Sequence, residues 1–214
     1  MKRRIQYTKI CGIKQSRTKR EVYSNKHLHQ KVKILIYNLI VHLKELEKQE
    51  QIKPRISRRK EIIKSLKDFK LFSGSKNSVK KLQLSGFMVI VVTNQPDVGR
   101  KLISKKVLKK MHDKLKKKTK VDAIYTCIHS QNMNCYCRKP KPSMILEAAK
   151  KYKINLKNSF MIGDKPSDIT TGQKANCRSI FLDKKYFEKN PENQEATFTS
   201  LAQATNYILK QNKL

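Results

Sequence analysis

Acidic side chains are scarce in this chain. It carries 16 Asp and Glu against 50 Lys and Arg, a formal charge of +34 with a sequence pI near 10.2. Aspartate is missing altogether from the first sixty residues. A balance this basic excludes a preference for basic partners and favours polyanions such as nucleic acid or anionic surfaces. The lysines are nevertheless scattered along the whole length, without the interleaved aromatics of a surface that stacks bases. They therefore imply at most non-specific contact with nucleic acid.

Long apolar runs are lacking too. The best, Val32 to Leu43, is broken by Lys33, Asn38 and His42, which excludes a membrane span there. The opening MKRRIQYTKI has a basic start but neither an apolar segment nor a small-residue cleavage site, so it does not read as a secretory signal. With five cysteines, an odd number, and three of them crowded together, the chain fits a reducing cytoplasm better than a disulfide scaffold. No internal repeat and no Gly/Ser linker is evident, and 214 residues suffice for one good core. A monomer is expected.

What is present falls into two unequal parts. Residues 1–58 are crowded with Lys, Arg, Gln and Ile and form a poorly defined basic region. Within it only Val32–Leu43 has structural periodicity, which fits a helix at least as well as a strand. Residues 59–214 read as one domain. Val79, Leu82 and Leu84 suggest a short helix stopped by Gly86. FMVIVVT is a continuous apolar, β-branched run, as expected of a strand buried on both faces. A second helix is predicted over Ser104–Lys118, with Val107, Leu108, Met111 and Leu115 at helical spacing. VDAIYTCIH, SFMIGD and SIFLD follow as strands; SMILEAAKKY, SDITTGQKANC and LAQATNYILK follow as helices. This alternation predicts an α/β fold, a doubly wound parallel sheet with helices on both faces.

In such sheets ligands bind at the carboxyl ends of the strands. Three of those ends carry polar residues: Thr93, Asn94 and Gln95; Asp164 with Lys165, Ser167 and Asp168; and CIHSQNMNCYCRKPKP, with Arg138, Lys139 and Lys141. A hydroxyl and lysines suit a phosphoryl group, and carboxylates suit a Mg²⁺ ion bridging to it. Each element alone is an ordinary turn; the combination in this order is more specific.

The segments EIIKSLKDF, VVTNQPDVGR, C-x-H…C-x-C-RKPKP and MIGDKPSD resemble the haloacid dehalogenase superfamily, in its D-glycero-D-manno-heptose 1,7-bisphosphate phosphatase and histidinol-phosphate phosphatase branch. The resemblance runs from about Glu61 to Asp183, and the cysteine–histidine cluster leading directly into R-K-P is its most specific part. It implies a Mg²⁺-dependent phosphatase acting on a phosphosugar. Thr93 would hold the transferring phosphoryl group, with Asn94 and Gln95 lining the substrate, and Lys139 would neutralise the phosphoryl charge. Arg138 would recognise the far end of the substrate. Asp164 would hold Mg²⁺ with Lys165 beside it, and Asp168 would act either behind the metal ligand or as an anion at a helix start. Cys127, His129, Cys135 and Cys137 supply three sulfurs and one nitrogen, a set suited to structural Zn²⁺, and the family carries such a zinc on this loop. Disulfides or free thiols are the alternative reading of the same cysteines.

The family's D-x-D-G motif, which supplies the attacking aspartate and the acid–base aspartate, is absent. Its expected place lies between Asn38 and Glu50. Aligning ILIYNLIV with the first strand puts Asn38 and Ile40 in the two positions; counting back from Phe69 points to Glu45 and Glu47. A carboxamide cannot serve as this nucleophile, and a glutamate is one methylene too long for near-attack geometry. A shifted upstream reading frame, a degenerate pseudoenzyme and an unusual catalytic residue are the three explanations open. A non-catalytic binding protein is the rival to the enzyme.

Overall fold

The computed structural model describes residues 33–37, 69, 71–185 and 190–211. Its contacts divide the chain into Met1–Gln30 and Lys31–Leu214, and every described residue belongs to the second unit. The Asn38, Ile40, Glu45 and Glu47 positions lie outside the described residues.

Six parallel strands form one sheet. In chain order they are β1 Lys33–Tyr37, β2 Phe87–Asn94, β3 Ala123–Cys127, β4 Phe160–Gly163, β5 Arg178–Leu182 and β6 Ala196–Phe198, arranged β3-β2-β1-β4-β5-β6. The order reverses at β1, which pairs with both β2 and β4: Tyr37 stands opposite Val91 on one side and Ile162 on the other. The Val32–Leu43 stretch, open between helix and strand in the sequence, thus contributes a strand to the middle of the sheet.

The apolar run of β2 is explained by its two faces. Phe87, Val89 and Val91 point into one core with Phe160 and Ile162 of β4, whereas Ile90 and Val92 point into the other with Met161. The first core is closed by helices α1 Ser75–Leu84, α3 Lys105–Thr119 and α6 Leu201–Gln211 through Val79, Leu82, Met111, Leu115, Ala204 and Ile208. The second is closed by α4 Ser143–Tyr152 through Met144, Ile145 and Ala148. Burying each of the larger side chains among them contributes roughly 1.5–3 kcal/mol. The doubly wound α/β architecture expected from the sequence is the one observed.

Local signals explain the ends of the helices. Ser104 caps α3, its hydroxyl accepting from Val107 N–H at 3.2 Å. Gly86 ends the α1 turn at φ +82°, a conformation that favours glycine. Leu84, expected on the buried face of α1, is instead 78 % exposed. It lies five residues after Val79, about 140° around the helix from it. Two elements had no clear signal: the four-residue α2, Pro96–Gly99, and β6, which is three residues long and only half-buried. The remaining helix, α5 Pro166–Lys174, starts directly after the turn that follows β4. No helix among the described residues is long and apolar enough to cross a membrane.

Candidate active site and metal cluster

β2 delivers Thr93 and Asn94 to the carboxyl edge of the sheet, and Gln95 follows. Thr93 is buried, and its Oγ1 accepts from Gln95 Nε2 at 3.1 Å. Lys139, 46 residues further along, is also buried. Its Nζ donates to Val92 O at 3.0 Å and forms an ion pair with Asp168 Oδ1 at 2.6 Å, both side chains being at most 2 % exposed. Val92 belongs to β2, whereas Asp168 opens α5 behind β4, and β1 lies between those two strands. The ammonium therefore stands across the carboxyl end of the central strand.

Asp168 is held from both sides. Its second oxygen, Oδ2, accepts from Lys165 N–H at 3.2 Å, one of the amides an α-helix leaves unpaired at its start. The carboxylate thus serves as a helix-start anion, one of the two roles considered for it, and also as the counter-ion of Lys139. Space for it exists because residue 163 is glycine: a Cβ there would lie 2.1 Å from Asp168 Cβ. Both Asp168 oxygens are engaged, and the other carboxylate at the end of β4 is Asp164. It follows β4 directly and is half-buried, as is Lys165. One carboxylate plus substrate oxygens and water is a normal Mg²⁺ environment.

The loop after β3 brings in the remaining residues. Arg138 is half-buried, and its Nη1 lies inside the protein with no hydrogen-bond partner among the described residues. Such an atom loses its hydration without return unless a ligand supplies an acceptor. Lys141 does not join the pocket that the sequence suggested for the lysines. Its Nζ donates to Asn134 Oδ1 at 2.9 Å, Cys135 O at 2.9 Å and Asn134 O at 3.4 Å, so its charge ties the loop to itself. Nothing in the sequence signalled this.

Cys127, His129, Cys135 and Cys137 gather at one point, their ligand atoms all within 4.8 Å of one another. Four of the separations are Cys127 Sγ–Cys135 Sγ 3.5 Å, Cys135 Sγ–Cys137 Sγ 3.7 Å, Cys127 Sγ–His129 Nδ1 3.6 Å and His129 Nδ1–Cys137 Sγ 3.2 Å. A tetrahedron built on ordinary zinc bond lengths has S···S edges of roughly 3.8 Å and S···N edges of roughly 3.6 Å. The donor set therefore fits a tetrahedral ion in number, chemistry and size. All three cysteines are free, against the disulfide alternative. Burial pushes the Cys127 and Cys137 thiols up, so a cation is what would allow these neighbouring sulfurs to ionise together.

The cluster is joined to the carboxyl edge of the sheet. Cys127 lies opposite Asn94 in the β2–β3 register, and Gln95 N–H donates to Cys127 O at 2.7 Å. Gly99 packs on the loop so closely that a Cβ would approach Ser130 N to 2.5 Å. Asn94, expected to line the substrate, spends its carboxamide on Lys139: Lys139 N–H donates to Oδ1 at 3.1 Å, and Nδ2 donates to Lys139 O at 3.2 Å.

Known proteins resemble this chain. The profile of haloacid dehalogenase-like hydrolases matches residues 8–182. A D-glycero-beta-D-manno-heptose-1,7-bisphosphate 7-phosphatase of Helicobacter pylori is 36% identical over 121 residues, 54% of this chain and 70% of the relative. A relative from Photorhabdus laumondii, named for the alpha form of the same substrate, is 36% identical over 129 residues, 55% of this chain and 70% of its own length. The crystal structure of a D,D-heptose 1,7-bisphosphate phosphatase from B. bronchiseptica, complexed with magnesium and phosphate, superposes with a TM-score of 0.69 at 24% identity, covering 84% of this chain and 99% of that one. At that identity the likeness is one of fold. The match across most of the chain, the relatives and the sheet order agree: the chain belongs to the haloacid dehalogenase-like hydrolase family.

Proposed function

We propose that the carboxyl edge of the sheet takes the phosphoryl group of a sugar bisphosphate of the heptose class, and that the reaction of its lineage is Mg²⁺-dependent removal of one phosphate. The protein would act as a cytoplasmic monomer. The observation that carries this reading is Lys139, a buried ammonium fixed between Val92 O and Asp168 over the end of β1. A cation so placed has little purpose in packing and suits a phosphoryl oxygen. In the proposed complex Thr93 donates its hydroxyl to the same group. Arg138 turns its unpartnered Nη1 to the second phosphate, which a guanidinium recognises well. Gln95 holds the Thr93 hydroxyl in place, and Lys165 lies beside the phosphate.

Two ions complete the proposal. Mg²⁺, carried by Asp164, would neutralise phosphoryl charge. Zn²⁺, held by Cys127, His129, Cys135 and Cys137, would fix the loop that presents Arg138 and Lys139. The attacking aspartate has no counterpart in the sequence, so the chain as written binds phosphorylated ligands and turns them over very slowly.

Calorimetric titration with inorganic phosphate and Mg²⁺ tests the pocket. Removing a charge-assisted hydrogen bond costs roughly 1.5–3 kcal/mol, so Lys139→Ala should bind phosphate about ten- to a hundredfold more weakly. Lys118→Ala, on the exposed face of α3, should bind like the parent. Equal affinity in Lys139→Ala and the parent would remove the basis of the proposal. A second reading, non-specific association with nucleic acid, is supported by the exposed Lys105, Lys106, Lys109, Lys110, Lys116 and Lys117 of α3. It predicts binding that falls steeply with salt and ignores Lys139→Ala.

A further inference from the structure

We infer that Asn94 is a positioning residue for Lys139 and not a ligand of the phosphorylated substrate; the inference rests on the phosphate reading above. A carboxamide offers one acceptor oxygen and one NH₂ group. Both ends of Asn94 are directed at one residue, Oδ1 receiving Lys139 N–H at 3.1 Å and Nδ2 donating to Lys139 O at 3.2 Å. The orientation has no alternative, because a flipped amide would set donor against donor and acceptor against acceptor. Both ends of the Asn94 side chain are thus engaged by the backbone on either side of the Lys139 Cα.

The location explains what such a clamp does. Lys139 belongs to an irregular loop that leaves the cysteine cluster, and Cys137 is two residues upstream. Among the described residues no strand pairs with Lys139, so its main chain lacks the ladder that fixes Thr93 and Val92. The Asn94 carboxamide takes the place of a strand partner. It makes the two hydrogen bonds that a neighbouring residue in a sheet would make, and it makes them from the last residue of β2. The side chain of Lys139 then needs only to reach back along the same strand to Val92 O at 3.0 Å and across to Asp168. Backbone and ammonium are tied to one strand end. The cysteine–histidine cluster gathers the loop at Cys127 and Cys137, and Asn94 carries that constraint the remaining distance to the residue that would meet the phosphate.

A direct ligand and a positioning residue behave differently in a double-mutant cycle. Titration of the full chain with inorganic phosphate and Mg²⁺ would compare the parent, Asn94→Ala, Lys139→Ala and the double variant, each checked for metal content and thermal midpoint. The expected result is about a tenfold loss in Asn94→Ala and no further loss when Asn94→Ala is added to Lys139→Ala. Asn94→Asp, which keeps the acceptor for Lys139 N–H, should bind phosphate better than Asn94→Ala, whereas beside a directly bound anion it would bind worse. Independent, multiplying losses would overturn the clamp while leaving the phosphate pocket intact, as would Asn94→Asp falling below Asn94→Ala. Parent-like binding in Lys139→Ala would instead overturn the pocket itself, and the clamp with it.

Discussion

Replacing Asp168 by asparagine tests the energetics of the site directly. The Asp168–Lys139 pair is 2.6 Å long and its side chains are 0 % and 2 % exposed, so water cannot take over for a lost partner. Asp168→Asn preserves size and an acceptor for Lys165 N–H, and it replaces the charged oxygen facing Lys139 with an amide NH₂. The ammonium then keeps one neutral acceptor, Val92 O at 3.0 Å. Breaking a buried pair from one side costs about 3–5 kcal/mol, far above the 0–1 kcal/mol of a surface pair. Each kcal/mol moves the midpoint of a chain this size by roughly 2–4 °C, so a fall of about 6–20 °C is expected. Lys139→Met in the Asp168→Asn background removes the stranded charge and should recover part of that fall. Circular dichroism melts and urea titrations on metal-loaded protein would measure both. An Asp168→Asn variant within 0.5 kcal/mol of the parent would refute the reasoning, because it would mean that the ammonium is hydrated or can leave.

Two further outcomes follow from the geometry. Cys135→Ser should lose most of the zinc, which elemental analysis would read as a drop from about one ion per chain, and phosphate affinity should weaken with it because the loop carrying Lys139 loosens. Freshly purified reduced parent protein free of zinc would sink the metal assignment. Burial lowers the pKa of His112 to about 4, with Asp113 opposing and Lys116 reinforcing the shift. The unfolded imidazole takes up its proton near 6.5, so this contribution to stability is complete above that pH. It is lost as pH falls toward 4, at a slope of up to about 1.4 kcal/mol per pH unit. Urea midpoints at pH 7 and pH 5 should differ in the parent and differ less in His112→Gln.

Legibility from sequence followed the range of each interaction. The β2 run could be read because a strand buried on both faces needs no alternation. The cysteine cluster could be read because its ligand pairs lie close along the chain. The same local reading failed for Leu84, whose spacing carries it off the buried face, and for β6, too short to carry a pattern. β1 was ambiguous because an apolar stretch of its length suits helix and strand alike; pairing with β2 and β4 decides it. The Asn94–Lys139 clamp joins residues 45 apart in sequence, and the use of Lys141 within its own loop depends on how that loop folds. Neither partner carries a mark of the other in the sequence.

The placement of β1 also bears on the missing nucleophile. Tyr37 lies opposite Val91 and Ile162, two residues before Thr93 and Asp164 respectively. The catalytic aspartates of the family belong just past the end of this strand, where the sequence reads Asn38, Leu39, Ile40 and Val41. In the sequence Asn38 directly follows Tyr37, whereas Glu45 comes eight residues after it. Sequence distance from β1 makes the Asn38 and Ile40 alignment the one to test. Asn38→Asp with Ile40→Asp and Val41→Gly would write D-x-D-G there, giving one carboxylate to attack phosphorus and a second to move protons. The expected result is Mg²⁺-dependent phosphate release from heptose bisphosphate by the triple variant and almost none by the parent. Loss of a nucleophile commonly removes several orders of magnitude of rate while binding survives, so the gain should appear in turnover more than in phosphate affinity. Robust turnover by the parent, abolished by Glu45→Gln or Glu47→Gln, would return the role to the glutamates. A folded, zinc-loaded triple variant inactive on every phosphosugar would count against the phosphatase lineage of the site.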